Sequence, residues 1–355
     1  MGEPEITPTV VGPKVGARDL TFTLADPGHR LAGVELSHEL DLPAQDVKFG
    51  YDESSGNWTL SLPRPPVRRL EYQLCLRYPD GGSETTTDPT NPALTPGAFG
   101  DKSVLLLPDY TAPGWLDGAA AWPAAAELTI STGVGPVEVR VHSPEQPSRL
   151  LLVAHDGPEY DRFSALGSFA AAMVRDGRVP PFHLALAAPG ERDERYSANP
   201  AYARALATVV LPELHTKLNT TGPAVLMGAS MGALAALHIQ RRYPDVVGGL
   251  FLQSGSFFVP QYDECEKDYL YYRRVTRYIG AVLRGQGTGR QVPVTLTCGV
   301  LEENLQNNRL MTATLRRQGY PAELHELPDA HNFVAWRDAF DPHLTDLLNR
   351  VWADA

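Results

Sequence analysis

Two kinds of hydrophobic patterning divide the chain. From about residue 15 to residue 108, short stretches alternate apolar with polar positions: Leu20-Thr21-Phe22-Thr23-Leu24, Val34-Glu35-Leu36, Asn57-Trp58-Thr59-Leu60-Ser61-Leu62 and Leu70-Glu71-Tyr72-Gln73-Leu74-Cys75-Leu76. A period of two predicts strands with one buried face. Asp26-Pro27-Gly28, Ser55-Gly56-Asn57 and Pro79-Asp80-Gly81-Gly82 supply turns between them. Helical periodicity is nearly absent here, so residues 15–108 read as a small all-β sandwich of the immunoglobulin-like kind. Asp88-Pro89-Thr90-Asn91-Pro92 and Gly97-Ala98-Phe99-Gly100 predict an ordered exit loop. Residues 1–14 lack periodicity and read as a flexible tail. Residues 109–126, rich in Pro, Gly and Ala, read as a linker.

Beyond the linker the apolar runs become continuous and alternate with helical stretches. Leu150–Ala154, Phe182–Ala188, Ala224–Met227, Gly249–Leu252, Val294–Cys298 and Ala322–Leu327 read as strands. Helices are predicted near 164–175, 200–218, 234–242 and 304–318, with another at the C-terminus. Strand–helix alternation of this kind predicts a doubly wound, mostly parallel sheet covered on both faces, over 127–355.

Composition narrows the partners. A net charge of −11 argues against nucleic acid or an anionic membrane surface, since both reward a basic face. No apolar run approaches the ~20 residues that span a bilayer, and the N-terminus has no basic-then-apolar leader pattern. Cys75, Cys265 and Cys298 are far apart and odd in number, which predicts free thiols, a core position for Cys298 and a cytoplasmic location. Neither metal-ligand spacing nor a phosphate-binding glycine loop is present, so no cofactor is expected.

Candidate chemistry centres on Gly228-Ala229-Ser230-Met231-Gly232, which follows the strand 224–227 and opens a helix. This is the context of the nucleophile elbow of an α/β-hydrolase. Glycines two residues before and after the serine let the crowded backbones pass. Ser230 then projects beside the positive end of a helix, and the Met231 N–H can stabilise an oxyanion. A serine hydroxyl needs a base. His331, between the last strand and the last helix, is the first candidate, and His155, after an early strand, is its rival. The chain order Ser…acid…His directs the search for the acid to the loop after 294–298, where Glu302 leads and Glu303 follows. Asp263, Glu264 and Glu266 come from a less common supply point.

These residues resemble the enterochelin (enterobactin) esterase family within the wider esterase-D group. The resemblance rests on His155-Asp156-Gly157, Gly228–Gly232, Gln253-Ser254-Gly255-Ser256, Glu302-Glu303-Asn304-Leu305, Gln318-Gly319-Tyr320 and His331-Asn332-Phe333-Val334-Ala335-Trp336-Arg337. In the first half it rests on Asp88 through Pro92 and Ser103 through Pro108. It implies hydrolysis of the esters of a catecholate trilactone siderophore, iron release inside the cell, and a ferric siderophore or another small-molecule ester as the ligand. By the same resemblance Arg192, Tyr196, Trp336 and Tyr160 are candidates to grip the substrate. Two departures stand out. Pro158, which has no N–H, stands where relatives supply the second oxyanion donor, leaving Glu159 as the candidate. Arg195-Tyr196 stands where some siderophore esterases have Glu-Leu. A carbohydrate acyl or feruloyl esterase and an acyltransferase remain alternatives on the same fold, and oligomeric state is open.

Overall fold

The computed structural model describes residues 12–40, 44–98, 100–118, 122, 125–287 and 289–353. Residues 1–11 of the expected tail therefore lie outside the described residues, as does much of 119–124. By internal contacts the chain forms two compact units, Met1–Thr111 with Pro328–Ala330, and Ala112–Leu327 with His331–Ala355.

The first unit is all-β. Strands β1 (Lys14–Val15), β2 (Asp19–Ala25), β3 (Gly33–His38), β4 (Gly50–Asp52), β5 (Asn57–Pro63), β6 (Arg69–Arg77), β7 (Ser83–Thr86), β8 (Leu94–Thr95) and β9 (Lys102–Leu106) form two antiparallel sheets. Their orders are β1-β2-β5-β4 and β3-β6-β9-β8, with β7 added on β6. The alternation has the predicted consequence: Leu20, Phe22 and Leu24 point inward from β2, and Trp58, Leu60 and Leu62 from β5. Phe22 meets Tyr72 of the other sheet edge-on at 5.0 Å. Side chains hold the first part of the expected exit loop, and Phe99 in its second part lies outside the described residues. The Tyr72 hydroxyl donates to Asp88 Oδ2 (2.7 Å), and Asn91 Nδ2 donates to the Val104 carbonyl (2.8 Å).

The second unit is an α/β sandwich around eight strands: β10 (Ala126–Ile130), β11 (Val137–His142), β12 (Leu151–His155), β13 (His183–Ala187), β14 (Ala224–Ala229), β15 (Val247–Gln253), β16 (Val294–Gly299) and β17 (Ala322–Leu327). They lie in the order β10-β11-β13-β12-β14-β15-β16-β17. The pairs from β13 to β17 are parallel, and β10 and β11 form an antiparallel edge. That edge was not foreseen, although Val137-Glu138-Val139-Arg140-Val141 alternates cleanly. The helices are α1 (Gly157–Ser164), α2 (Leu166–Arg175), α3 (Arg192–Tyr196), α4 (Pro200–Ala205), α5 (Leu211–Leu218), α6 (Met231–Arg242), α7 (Tyr272–Leu283), α8 (Leu305–Arg317), α9 (Phe333–Asp338) and α10 (Thr345–Val351). The helix expected near 164–175 is α2, and α1 precedes it across Ala165, whose φ is 50°.

The continuous apolar runs hide a period of two. Leu151 and Val153 of β12 and Leu226 of β14 join one core, with Leu234 and Leu237 of α6. Leu152, Ala154, Val225 and Met227 join the other, with Phe169, Trp336 and Phe340. Both faces are covered, so neither register position can be polar. The chain reverses its direction of sheet growth between β12 and β14, and the loops after these strands diverge there. Such a switch point opens a crevice at the carboxyl ends of the strands.

The stretch 109–126 is not a bare linker where it is described. Trp115 is buried and meets Phe169 edge-on at 5.4 Å, and Trp122 Nε1 donates to the Ser143 carbonyl at 2.6 Å. Composition suggested a spacer because two tryptophans among many small residues barely change it, yet each is a packing anchor. Among the described residues no helix is long and apolar enough to cross a membrane.

Candidate active site

Ser230 forms the turn between β14 and α6. Its backbone sits at φ 55°, ψ −121°, a conformation that costs a non-glycine residue about 1–3 kcal/mol and persists only where neighbours enforce it. They do so here. The Ser230 N–H donates to the Gln253 carbonyl at 2.9 Å, and the Ser256 N–H donates to the Ser230 carbonyl at 3.2 Å. The two flanking glycines are not equivalent. A Cβ on Gly228 would lie 2.5 Å from the Gly232 carbonyl carbon, which no relaxation of a side chain can relieve. A Cβ on Gly232 would approach the Asp156 and His155 side chains at 3.3 Å, tight but not prohibitive.

Met231 is the first residue of α6, so its N–H is one of the donors the helix leaves unpaired. The Ser230 Oγ lies 3.0 Å from the Ser256 Oγ. Both hydroxyls line a pocket of about 150 Å³ together with Met231 and His331.

His331 follows β17 and precedes α9, whose first turn is capped by Asn332 accepting from the Ala335 N–H at 2.8 Å. Its Nδ1 lies 2.9 Å from Glu302 Oε2. The Glu302 side chain is 1% exposed and the His331 side chain 27%. Glu302 Oε1 accepts from the Gly299 N–H (2.7 Å) and the Ser254 hydroxyl (2.8 Å), so two neutral donors fix one oxygen and leave the other for the imidazole. Ser254 in turn accepts from Trp336 Nε1 at 3.0 Å, and the Trp336 ring stands edge-on to His331 at 5.1 Å. Gln253 completes this scaffold, accepting from the Tyr160 hydroxyl at 2.9 Å and donating to the Trp336 carbonyl at 3.1 Å. Sequence reasoning had no signal for Ser254 and Gln253 beyond their place in a motif.

The four expected substrate contacts are engaged by burial or pairing within the protein. Tyr160 and Tyr196 are fully buried, and Trp336 is 6% exposed. Tyr160 and Trp336 brace the Glu302 corner, while the Tyr196 hydroxyl accepts from the Asp156 N–H at 3.2 Å. Arg192 is held at both ends of its fork by Asp156, Nε to Oδ1 at 2.9 Å and Nη2 to Oδ2 at 2.8 Å. None of the four lines the pocket. Glu159, the expected second oxyanion donor, lies in the first turn of α1, and it too is absent from the pocket wall. Asp156 turns the chain into α1 at φ 52°, and Gly157 must be glycine because a Cβ there would meet the Leu186 Cα at 2.3 Å. Arg195 is turned away and donates to the Val134 and Pro136 carbonyls, both at 3.0 Å.

His155 is fully buried, with Nδ1 3.2 Å from the Met227 carbonyl. Burial pushes its pKa down to about 4, which keeps it neutral. Glu303, the alternative acid, is exposed and lies on the pocket wall with Glu266, Phe258, Tyr269 and Asn304.

A switch-point pocket with an elbow serine and a carboxylate-held histidine is the layout of a carboxylic ester hydrolase of the α/β-hydrolase fold. The chain belongs to the putative esterase family, which matches residues 134–347. In structure it is similar to a ferric enterobactin esterase from Salmonella typhimurium, with TM-score 0.78 and 19% identity over 97% of this chain and 98% of that one. An enterobactin esterase from Shigella flexneri, solved with 2,3-dihydroxy-N-benzoyl-serine, gives TM-score 0.75 and 17% identity over 96% and 97%. A ferulic acid esterase matches 65% of this chain over its whole length, with TM-score 0.53 and 16% identity. No curated protein matches the chain by sequence.

Proposed function

We propose that the protein is a serine esterase that opens the ester bonds of a catecholate trilactone or a related macrolactone through an acyl-enzyme on Ser230. The observation that carries the chemistry is His331, held by the buried Glu302, on the wall of the pocket that Ser230 also lines. His331 takes the Ser230 proton as the hydroxyl attacks the ester carbonyl, and Glu302 orients the imidazole and stabilises the imidazolium. The Met231 N–H stabilises the oxyanion of the tetrahedral intermediate. His331 then protonates the leaving alcohol. Water, activated by the same histidine, attacks the acyl-enzyme and releases the acid with Ser230 restored. Likeness to enterobactin esterases across both units supports the lactone substrate, since a ferulic acid esterase matches only part of the chain.

A carbohydrate acyl ester is the second reading. Likeness to a ferulic acid esterase, whose whole length is matched with TM-score 0.53, supports it. The first unit gives it no support as a glycan platform: Trp58 is buried with Nε1 donating to Asp26, and Tyr72 is fully buried.

The discriminating experiment incubates the protein with a tri-catecholate trilactone, metal-free and iron-loaded, and follows linear products by mass spectrometry beside Ser230→Ala. Stepwise addition of water by the wild type, lost in Ser230→Ala, supports both the chemistry and the substrate class. An untouched lactone with active cleavage of sugar acyl esters would overturn the lactone reading in favour of the second.

A further inference from the structure

The steps proposed for Ser230, Met231, Glu302 and His331 leave Ser256 without a task, although it touches the nucleophile. Ser256 follows β15, is 3% exposed, and lines the pocket with Ser230, Met231 and His331. Its place is fixed from two sides. The fully buried Asn308 of α8 accepts from the Gly255 N–H at 3.1 Å and donates to the Gly255 carbonyl at 2.8 Å. The Ser256 N–H donates to the Ser230 carbonyl at 3.2 Å. The two hydroxyls then meet at 3.0 Å, and this is the one side-chain hydrogen bond that either makes among the described residues. Each hydroxyl has a single hydrogen to give. With Ser230 as donor, its hydrogen would be committed away from the base, and the Ser256 hydrogen would be left buried without an acceptor. With Ser256 as donor, both hydrogens are placed: its own on Ser230 Oγ, and that of Ser230 left for His331 on the same pocket wall.

Resting on the serine-esterase reading above, we infer that Ser256 is a further catalytic residue, whose O–H donates to Ser230 Oγ and stabilises the negative charge that this oxygen carries in both steps of the reaction. The oxygen it serves is the nucleophile's own, whereas the Met231 N–H serves the former carbonyl oxygen. As Ser230 gives its proton to His331 and begins to bond to carbon, Oγ becomes a partly charged acceptor, and a hydrogen bond to a charged acceptor is about twice as strong as one to a neutral one. In the acyl-enzyme Oγ is an ester oxygen and a weak acceptor, so little is gained there. When water has attacked and the acyl–Oγ bond breaks, Oγ leaves with negative charge and takes its proton back from His331. The same donor acts again. Ser256 neither gains nor loses a proton, and its bond is strongest where the barriers lie, which is the condition for raising kcat.

The test compares wild type, Ser256→Ala and Ser256→Cys in hydrolysis of 4-nitrophenyl butanoate and in the rate at which an alkyl fluorophosphonate labels Ser230. Ser256→Ala should lower kcat and the labelling rate by about 10- to 100-fold. KM and melting temperature should change little, and the acid limb of the pH profile, set by His331, should stay in place. Ser256→Cys, a weaker donor of similar shape, should fall between the other two. Unchanged or faster hydrolysis by Ser256→Ala overturns this inference, since Ser230 would then be the donor at rest, and leaves the esterase reading standing. A fall confined to KM, or a displaced acid limb, overturns it as well by moving the effect to substrate binding or to His331. Wild-type activity in Ser256→Cys would assign the effect to shape and overturn the donor role. If the wild type neither hydrolyses the ester nor takes the label, the esterase reading falls, and this inference with it.

Discussion

His155 and His331 both stand where a strand of one sheet meets the loop after it, each with a carboxylate nearby, and their environments are opposites. His155 is fully buried between edge-on tyrosines, Tyr196 at 5.2 Å and Tyr202 at 6.1 Å, and its Nε2 has no hydrogen-bond partner among the described residues. The neighbouring Asp156 is closed off by a bidentate arginine. At the other corner, Glu302 has neutral donors on one oxygen and an imidazole on the other, and the imidazole reaches the pocket. A carboxylate paired with a permanent cation is a static strut. One paired with a group that can gain and lose a proton at neutral pH is equipped for proton transfer. Proximity of a histidine to an acid therefore says little until the second partner of each is known.

The strongest way to break this comparison is to remove each imidazole. His331→Ala should lower kcat on a neutral aryl ester by about 10⁴-fold, whereas His155→Leu should stay within about threefold while its melting temperature drops. Equal losses in the two variants would sink the division of roles. The carboxylates come next. Glu302→Gln should lower kcat by about 10³-fold with a small change in melting temperature. Asp156→Asn, which an αL position tolerates, should instead cost about 1–3 kcal/mol of stability in urea unfolding, less than for a fully buried pair because Arg192 reaches solvent.

Stability against pH sharpens the contrast further. The His155 pKa in the fold is about 4 against 6.5 in the unfolded chain, lowered by burial. Between those values the unfolded chain binds a proton that the fold refuses, so stability falls as pH falls from about 6.5 to 4. The loss from this residue approaches ~3 kcal/mol, and His155→Leu should flatten that part of the profile relative to wild type. The smallest expected effect belongs to the brace. Ser254→Ala removes one of two donors to Glu302 Oε1 and should lower kcat about tenfold, with KM little changed. A change confined to KM would place Ser254 in substrate binding instead.

Much of the fold was legible because its signals are local. Alternation in β2 and β5 marks strands with one wet face, and the continuous runs of β12 and β14 mark strands with none. The antiparallel pair β10 and β11 carried the same kind of signal in Val137 through Val141, and the tryptophans at 115 and 122 were masked by their small neighbours.

The chain itself determined the position of Ser230, since strand, glycine-spaced turn and helix are contiguous from Ala224 to Arg242. It also put a histidine after the last strand and a pair of glutamates after the one before it. Only the tertiary structure decided between Glu302 and Glu303. The two are adjacent, yet one turns inward to the Ser254 hydroxyl, 48 residues away in sequence, and the other faces the pocket. It likewise withdrew Tyr160, Tyr196 and Trp336 into the interior and joined Arg192 to Asp156. Periodicity and turn chemistry act between neighbours along the chain and can be read there. Exposure and charge pairing are fixed by which distant segments arrive at the same place, and the chain does not write that down.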